Sequence, residues 1–247
     1  MIPKIIHYCW FGKGTKSQQI LKCIDSWHRF FPDYQYIEWN EDNCDVNEIP
    51  YIQQAYQAKK YAFVSDYIRI KVLVEYGGIY FDTDYEVIKP MDNILSQGKL
   101  ITGLENAGSA LTAMIAVEPN NDIMREFLYS YIQRNFIFGN GEMDMTPINQ
   151  GFSSLVSKYG INLASNEKQE LENGIVMYPI EILCGFDVEN WHEKITQRTV
   201  GVHHMGNSWA TPEMKKHVKR IQFLQKVLGY KNYDKLRELI KNRRIYG

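Results

Sequence analysis

Two aspartates one residue apart, Asp82 and Asp84, close a short apolar run, Ile79-Tyr80-Phe81, which itself follows a glycine pair, Gly77-Gly78. On an extended chain, residues two apart point to the same side at a spacing of roughly 6.6 Å, which leaves room for one hard cation and its ligand between them. Carboxylate oxygens suit Mg²⁺ or Mn²⁺, ions that keep several waters and take further oxygens from a diphosphate. A bare Asp-x-Asp is a weak signal and is most often a solvated turn. Its place after a glycine turn and an apolar strand gives it chemical content.

The elements that must position these carboxylates are legible on either side. Ser65 reads as an N-cap, Asp66 suits the positive end of a helix dipole, and Gly77-Gly78 supply a left-handed stop, so a helix is expected over Asp66 to Tyr76. Tyr67, Ile68, Ile70, Val72, Leu73, Val74 and Tyr76 circle that helix instead of forming one stripe, the pattern of a helix buried inside a domain. Asp66 and Arg69, three apart, share its first turns, and charges on a buried helix need partners or a polar cleft. A local ion pair is their plainest reading. Further on, Thr199-Val-Gly-Val is an apolar strand delivering His203 and His204, followed by Gly206, Asn207, Ser208 and Trp209. Adjacent histidines on a strand face opposite ways, so only one can meet the same metal as Asp84. Taken alone, a histidine on an apolar strand is more often a satisfied core residue.

The run SDYIRIKVLVEYGGIYFDTD, residues 65–84, resembles the sugar-nucleotide core of the Asp-x-Asp glycosyltransferases with a GT-A fold, and is most similar to glycosyltransferase family 32. The likeness is dense over residues 1–105, weak beyond, and returns near residue 203. Ser65, Asp66, Arg69, Gly77, Gly78, Tyr80, Asp82 and Asp84 all stand where that pattern has them. The resemblance implies a metal-dependent transfer of a hexosyl unit from a nucleotide-diphosphate sugar, with UDP-sugars favoured and GDP-mannose the alternative, to a saccharide or lipid-linked acceptor, with retention of configuration, as in capsular polysaccharide or oligosaccharide synthesis. It implies that Asp84, Asp82 and His203 (preferred to His204 on its spacing to Ser208-Trp209) hold Mn²⁺ or Mg²⁺, and that Asp66 and Arg69 grip the sugar. It also places His7, Trp10, Ser65, Tyr80, Ser208 and Trp209 around the nucleotide, with Trp10 a stacking surface for the base.

The remainder of the chain is consistent with one α/β domain. Ile2 to Gly12 reads as a strand over Lys4 to Tyr8 opening into a loop, Ser17 to Phe30 as an amphipathic helix, and Tyr34 to Trp39 as a second strand. That β-α-β order predicts parallel strands. Gly12-Lys13-Gly14 lacks the rest of a phosphate loop. A helix is expected over Pro50 to Lys60, strands over Leu100 to Leu104 and Ala110 to Val117, and helices over Asp122 to Arg134 and Ile148 to Tyr159. Glu105, Asn106 and Ser109 fall on a loop able to touch substrate, and the glycine-rich stretch 136–149, with Asp144 and then Gln150, is long enough for a lid. The expected architecture is a Rossmann-like, mixed but mostly parallel sheet flanked by helices.

At 247 residues, 45% hydrophobic and 23% charged, the composition is that of a globular domain, and a net charge of −1 gives no pull toward nucleic acid. Cys9, Cys23, Cys44 and Cys184 have no CxxC spacing, which favours reduced thiols and a cytoplasmic setting. No leader pattern and no apolar run near the ~18 residues of a membrane span is present. The domain is expected over 1–212, with 213–247 a helical extension in which eleven Lys/Arg stand against three acids. Met214, Val218, Ile221, Leu224 and Leu228 repeat there at helical spacing, so a basic amphipathic helix pair able to lie on the anionic inner face of a membrane is expected, a solvated helical cap being the alternative. Two other functions fit parts of the pattern. An Asp-x-Asp phosphohydrolase fits the strand-borne aspartates but has that motif near the chain start, and a carbohydrate-binding protein explains the aromatics but not the paired acids.

Overall fold

A computed structural model of the chain describes residues 1–206 and 212–245. The elements run β1 (Ile5–Cys9), α1 (Gln18–Phe30), β2 (Gln35–Trp39), α2 (Pro50–Gln57), α3 (Tyr61–Tyr76), β3 (Gly78–Phe81), β4 (Tyr85–Val87), α4 (Asp92–Leu95) and β5 (Leu100–Asn106). They continue as β6 (Ser109–Ala110), β7 (Met114–Val117), α5 (Asp122–Ile132), α6 (Ile148–Lys158), β8 (Gln169–Glu170), β9 (Ile175–Tyr178), α7 (Ile180–Leu183), β10 (Phe186–Asp187), β11 (His192–Glu193), β12 (Gly201–His203), α8 (Pro212–Leu228) and α9 (Tyr230–Ile245).

The β-α-β opening forms as the sequence predicts, with β1 and β2 in parallel register from Ile5–Gln35 to Cys9–Trp39. The main sheet has the order β2-β1-β3-β7-β5-β9-β8, with β6 on β5. In it β1, β2, β3, β5 and β9 run one way, while β7 is antiparallel to both its neighbours and β8 to β9. This is the mixed, mostly parallel sheet flanked by helices that the sequence implies, with the C-terminal helices present. One core, including Tyr51, Phe63, Tyr67, Leu73, Phe127 and Phe152, lies under α2, α3, α5 and α6. The other, including Trp27, Phe81, Tyr85 and Leu183, lies under α1, α4 and α7.

The period-two alternation of β3 decides which residues meet which helix. Ile79 and Phe81 enter the second core and Tyr80 the first, beneath α3. The helix-to-strand reversal needs its glycines. Gly77 and Gly78 have φ of 65° and 96°, and a Cβ on Gly78 would lie 2.5 Å from the Ile5 carbonyl oxygen.

Three expectations shift. The helix expected from Asp66 starts at Tyr61, so Ser65 is an interior residue whose hydroxyl donates to the Tyr61 carbonyl at 3.1 Å. Burial of Phe63 and Val64 outweighs the capping preference of Ser65. The strand expected over 110–117 is split into β6 and β7, because Thr112 turns its carbonyl toward Arg69. In α1 the amphipathic pattern puts Ile20, Leu21, Ile24 and Trp27 on the inner face, yet Leu21 is 40% exposed, while Cys23 and Trp27 are buried.

His7 was expected beside the nucleotide. It is fully buried, with Nε2 donating to the Gly77 carbonyl at 2.8 Å and Nδ1 accepting from the Trp39 indole at 3.1 Å. The Gly77 bond fixes the Nε2–H tautomer, so the side chain braces the glycine turn from below and presents no atom to a ligand. Burial pushes its pKa down to about 4 from 6.5, the Gly77 bond acting weakly against this. A histidine depressed in the folded state contributes stability present above its unfolded pKa and lost as pH falls toward the folded one. His7→Gln is therefore expected to lower stability at neutral pH and to flatten the loss between pH 6.5 and about 4, a loss on the order of 3 kcal/mol in the parent at ~1.4 kcal/mol per pH unit. Urea unfolding of both proteins across that range measures it.

Candidate active site

Asp82 leaves the end of β3 and Asp84 lies in the turn before β4, closed by the Tyr85 amide donating to the Asp82 carbonyl at 2.9 Å. The two aspartates thus sit on a turn and not on a continuous strand. Their carboxylates still converge, and one oxygen from each lies with a nitrogen of His203 in a group whose atoms are all within 4.8 Å of one another.

Arg69 is the pivot on the α3 side. Its Nη1 donates to Asp82 Oδ2 at 3.3 Å and to the Thr112 carbonyl at 3.0 Å, and its Nη2 lies 3.0 Å from both Asp82 Oδ1 and Asp66 Oδ1. The guanidinium stacks 4.6 Å above the Tyr80 ring, whose hydroxyl donates to Asp82 Oδ1 at 3.1 Å. Asp66 and Arg69 are only 6% and 5% exposed, and Tyr80 is 1% exposed. These residues therefore fix the Asp82 carboxylate and present little of their own polar surface to an open cleft. Burial, with Asp82 adding to it, pushes Asp66 up to about 7 against the pull of Arg69. Burial likewise raises Asp82, with Arg69 opposing and Asp84 reinforcing.

The β12 side holds Asp84. Strand β12 pairs antiparallel with β4, setting His203 opposite Tyr85. The His204 amide then donates to the Asp84 carbonyl at 3.0 Å, and the Gly206 amide donates to Asp84 Oδ2 at 2.6 Å. His203 Nε2 stands 3.4 Å from Asp84 Oδ1, and its Nδ1 stands 3.5 Å from Glu105 Oε1, long for a hydrogen bond. Burial alone would raise Asp84 and lower His203. Their mutual attraction, with the Gly206 bond on one side and Glu105 on the other, outweighs it, so Asp84 is held well below the usual carboxylate range and His203 rises to about 10. His204 faces away from this group, with Nε2 2.8 Å from Glu86 and Nδ1 2.9 Å from Glu193, so His203 is the one of the two that faces the aspartates.

Other sequence candidates fall at varying remove. Trp10, at the mouth of β1, is half-buried, donates its indole N–H to the Gly14 carbonyl at 2.7 Å and lies under Lys16. Asp144 is tied to Arg134 at 2.6 Å and so fastens the 136–149 stretch. Ser208 and Trp209 lie outside the described residues. Sequence reasoning missed Gly206, where an added Cβ would lie 2.9 Å from Asp84 Oδ2, and Asn149, whose side chain donates to Glu105 at 2.8 Å. It placed Glu105 on a loop without linking it to His203. The usable signal was a carboxylate at the end of the apolar run Leu100 to Leu104.

Residues 17–101 match the family described as the glycosyltransferase sugar-binding region containing the DXD motif. The matched residues include the stretch 65–84 that carries the likeness to the Asp-x-Asp glycosyltransferases, so this part of the chain is similar to that sugar-binding region. The initiation-specific alpha-1,6-mannosyltransferase of Candida albicans is 25% identical over 229 residues, 88% of this chain and 57% of its own. The mannosyl phosphorylinositol ceramide synthase CSH1 of Saccharomyces cerevisiae is 33% identical over 102 residues, 38% of this chain and 26% of its own. The chain thus spans 26% to 57% of the length of these two relatives. Among solved structures, a glycosyltransferase involved in the glycosylation of the major capsid of PBCV-1 aligns at 14% identity over 88% of this chain and 100% of that chain, with a TM-score of 0.48. PaToxG glycosyltransferase aligns at 20% identity over 64% of this chain and 70% of that chain, with a TM-score of 0.47.

Two carboxylate oxygens and one imidazole nitrogen fit a divalent cation, and no thiol stands in the group. Glu105→Gln leaves the three donors in place but removes the carboxylate facing His203 Nδ1, and is expected to weaken Mn²⁺ binding about 10–100-fold. Gly206→Ala is expected to weaken it as well, by crowding Asp84. Electron paramagnetic resonance titration of free Mn²⁺ against each variant reads both.

Proposed function

We propose that the protein transfers a hexosyl unit from a nucleoside-diphosphate sugar to a saccharide or lipid-linked acceptor, with a divalent cation held by Asp82, Asp84 and His203. The observation carrying this reading is the convergence of those three side chains, within 4.8 Å, at the end of a strand that lies with its preceding helix inside the residues matched to the DXD family, 17–101. When bound, the cation supplies positive charge against the departing diphosphate. Its donor set, mixed oxygen and nitrogen, favours Mn²⁺ over Mg²⁺.

The chain's own residues supply orientation. Arg69 is a positioning residue: its fork holds Asp82 in one geometry while its contacts to Asp66 and the Thr112 carbonyl keep it from swinging away. Tyr80 fixes the same carboxylate from the strand side. Glu105 faces the Nδ1 edge of His203, leaving Nε2 toward Asp84. A site fixed in this way needs little rearrangement as charge develops on the leaving group. Trp10, at the open end of β1, is the surface on which the base stacks, and retention of configuration follows from the family resemblance.

The donor is a nucleoside-diphosphate sugar, with UDP-sugars favoured by the sequence and GDP-mannose beside them; the mannosyltransferase name of one relative supports testing the latter. The acceptor is a saccharide or a lipid-linked saccharide, and the ceramide in one relative's name supports including a lipid among the acceptors tested. The four cysteines are free thiols, which supports a reducing, cytoplasmic setting, and no helix among the described residues is long and apolar enough to cross a membrane.

Incubation with GDP-mannose, with UDP-sugars and with a phosphomonoester, each with and without Mn²⁺, tests the reading. Nucleotide release that needs the metal is expected. Phosphate release without nucleotide would make the protein a phosphohydrolase, and tight sugar binding with no turnover of any donor would make it a lectin. Asp84→Asn is expected to lower metal-dependent nucleotide release at least a hundredfold while leaving the thermal unfolding midpoint within a few degrees; full turnover in that variant overturns the role given to Asp84.

A further inference from the structure

Helix α8 has two faces, and the apolar stripe visible in the sequence is not the one left open. Ile221 and Gln225 are buried at 6% and 4%, Val218 and Leu224 are half-buried, and the Gln225 side chain donates to the Asn190 carbonyl ahead of β11. That stripe is consumed by packing onto the domain. On the opposite side, Lys216, Lys219, Arg220, Phe223, Lys226 and Val227 share one face at a 3.6-residue period, all six exposed, with Lys219 and Lys226 at its edge where they also border the cleft beside β11.

Phe223 and Val227, one turn apart, are 65% and 64% exposed. The four cations around them make no ion pair among the described residues, and no acid occurs between Met214 and Tyr233. Immediately beyond, Tyr230 is 58% exposed. A large aromatic and a β-branched side chain, held into solvent inside a ring of lysine and arginine, form a surface without the polar rim or shape of a protein pocket. An apolar centre able to sink below a headgroup layer, with long cationic stems spreading around it at phosphate level, matches a lipid interface.

We propose that the outer face of α8, centred on Phe223 and Val227, binds an anionic phospholipid surface. The attraction is charge complementarity from Lys216, Lys219, Arg220 and Lys226, and the hold is insertion of the two apolar side chains. The face acts independently of the metal group, whichever reaction that group performs.

Co-sedimentation of the full chain with phosphatidylcholine vesicles, and with vesicles that also contain phosphatidylglycerol, tests this. Binding only to the mixed vesicles is expected, weakening as salt rises. Replacing Lys216 or Lys219 by Gln should lower partitioning roughly fivefold each. Phe223→Ser with Val227→Ser should lower it roughly tenfold or more. None of these side chains is part of the packed stripe, so circular dichroism and the thermal midpoint should stay unchanged. The proposal is overturned if the protein remains in the supernatant, if it binds neutral vesicles equally, or if the double variant sediments like the parent. It is also overturned if the same face instead mediates a concentration-dependent dimer in analytical ultracentrifugation, with no vesicle binding, or retains nucleic acid and ignores lipid.

Discussion

The crowding of acids around one guanidinium governs how this chain folds. Asp66 and Asp82 both lie against Arg69, and Asp84 is placed close enough to Asp82 to raise it. Like charges in a poorly solvated setting repel, and a buried acid left without its cation costs about 3–5 kcal/mol, a sizeable part of the ~5–15 kcal/mol that separates folded from unfolded domains. Arg69 and His203 offset that repulsion, one from α3 and one from β12. A well-packed apolar cluster in the same volume would be as stable or more so. Such a concentration of charge is thus a burden on the fold, and it makes sense as a socket for a further positive charge. The helix that carries Arg69 is apolar on nearly every side because its ion pair has to be carried inside the domain.

Bringing the second cation into place is the harder task, since His203 lies some 120 positions along the chain from Asp82. The solution is a small two-stranded sheet, β4 with β12, set apart from the main one. Its anchors are numerous. The Trp27 indole donates to the Tyr85 carbonyl at 2.7 Å, the Tyr85 hydroxyl donates to the Leu183 carbonyl at 2.8 Å, and the His203 amide donates to the Cys184 carbonyl at 2.8 Å. Gly201 is part of the same device, because a Cβ there would lie 2.0 Å from the Tyr85 hydroxyl. The histidine is thereby referenced to α1 and α7, rigid elements of the second core, and does not depend on the segment that follows it.

Much of this was legible because it is local. The glycine reversal, the buried α3 and the paired aspartates are written within twenty-odd consecutive residues, although the pair sits on a turn and not on the extended strand end that the sequence suggests, and the parallel opening follows from one strand-helix-strand pattern. Boundaries failed where tertiary burial overrode a local preference: Ser65 is a good cap, yet the helix runs back past it to Tyr61 because Phe63 and Val64 have a core to enter. His7 failed for a related reason. A histidine at a strand end near a nucleotide loop suggests a ligand contact, and only the three-dimensional position of Trp39 and the Gly77 carbonyl reveals that both nitrogens are already engaged. The links of Glu105 to His203 and of Gly206 to Asp84 were beyond reach, because a contact between elements about a hundred residues apart leaves no periodic trace.

The tail shows the same principle from the other direction. Amphipathicity in a sequence says that a helix has an apolar stripe; it does not say what the stripe meets. In α8 the stripe meets the domain, and Gln225, Asn190 and the β10–β11 hairpin link it onward to Glu193, which bonds His204, the residue next to His203. The outward face is therefore mounted on the frame that sets Asp84 and His203, not hung from a loose extension. With Trp191, Met205 and Gly206 lining the cleft between α8 and that hairpin, the inner side of the helix borders the space beside the metal group. The two faces of α8 thus lie about one helix diameter, roughly 10 Å, apart, the inner one on the cleft and the outer one on solvent.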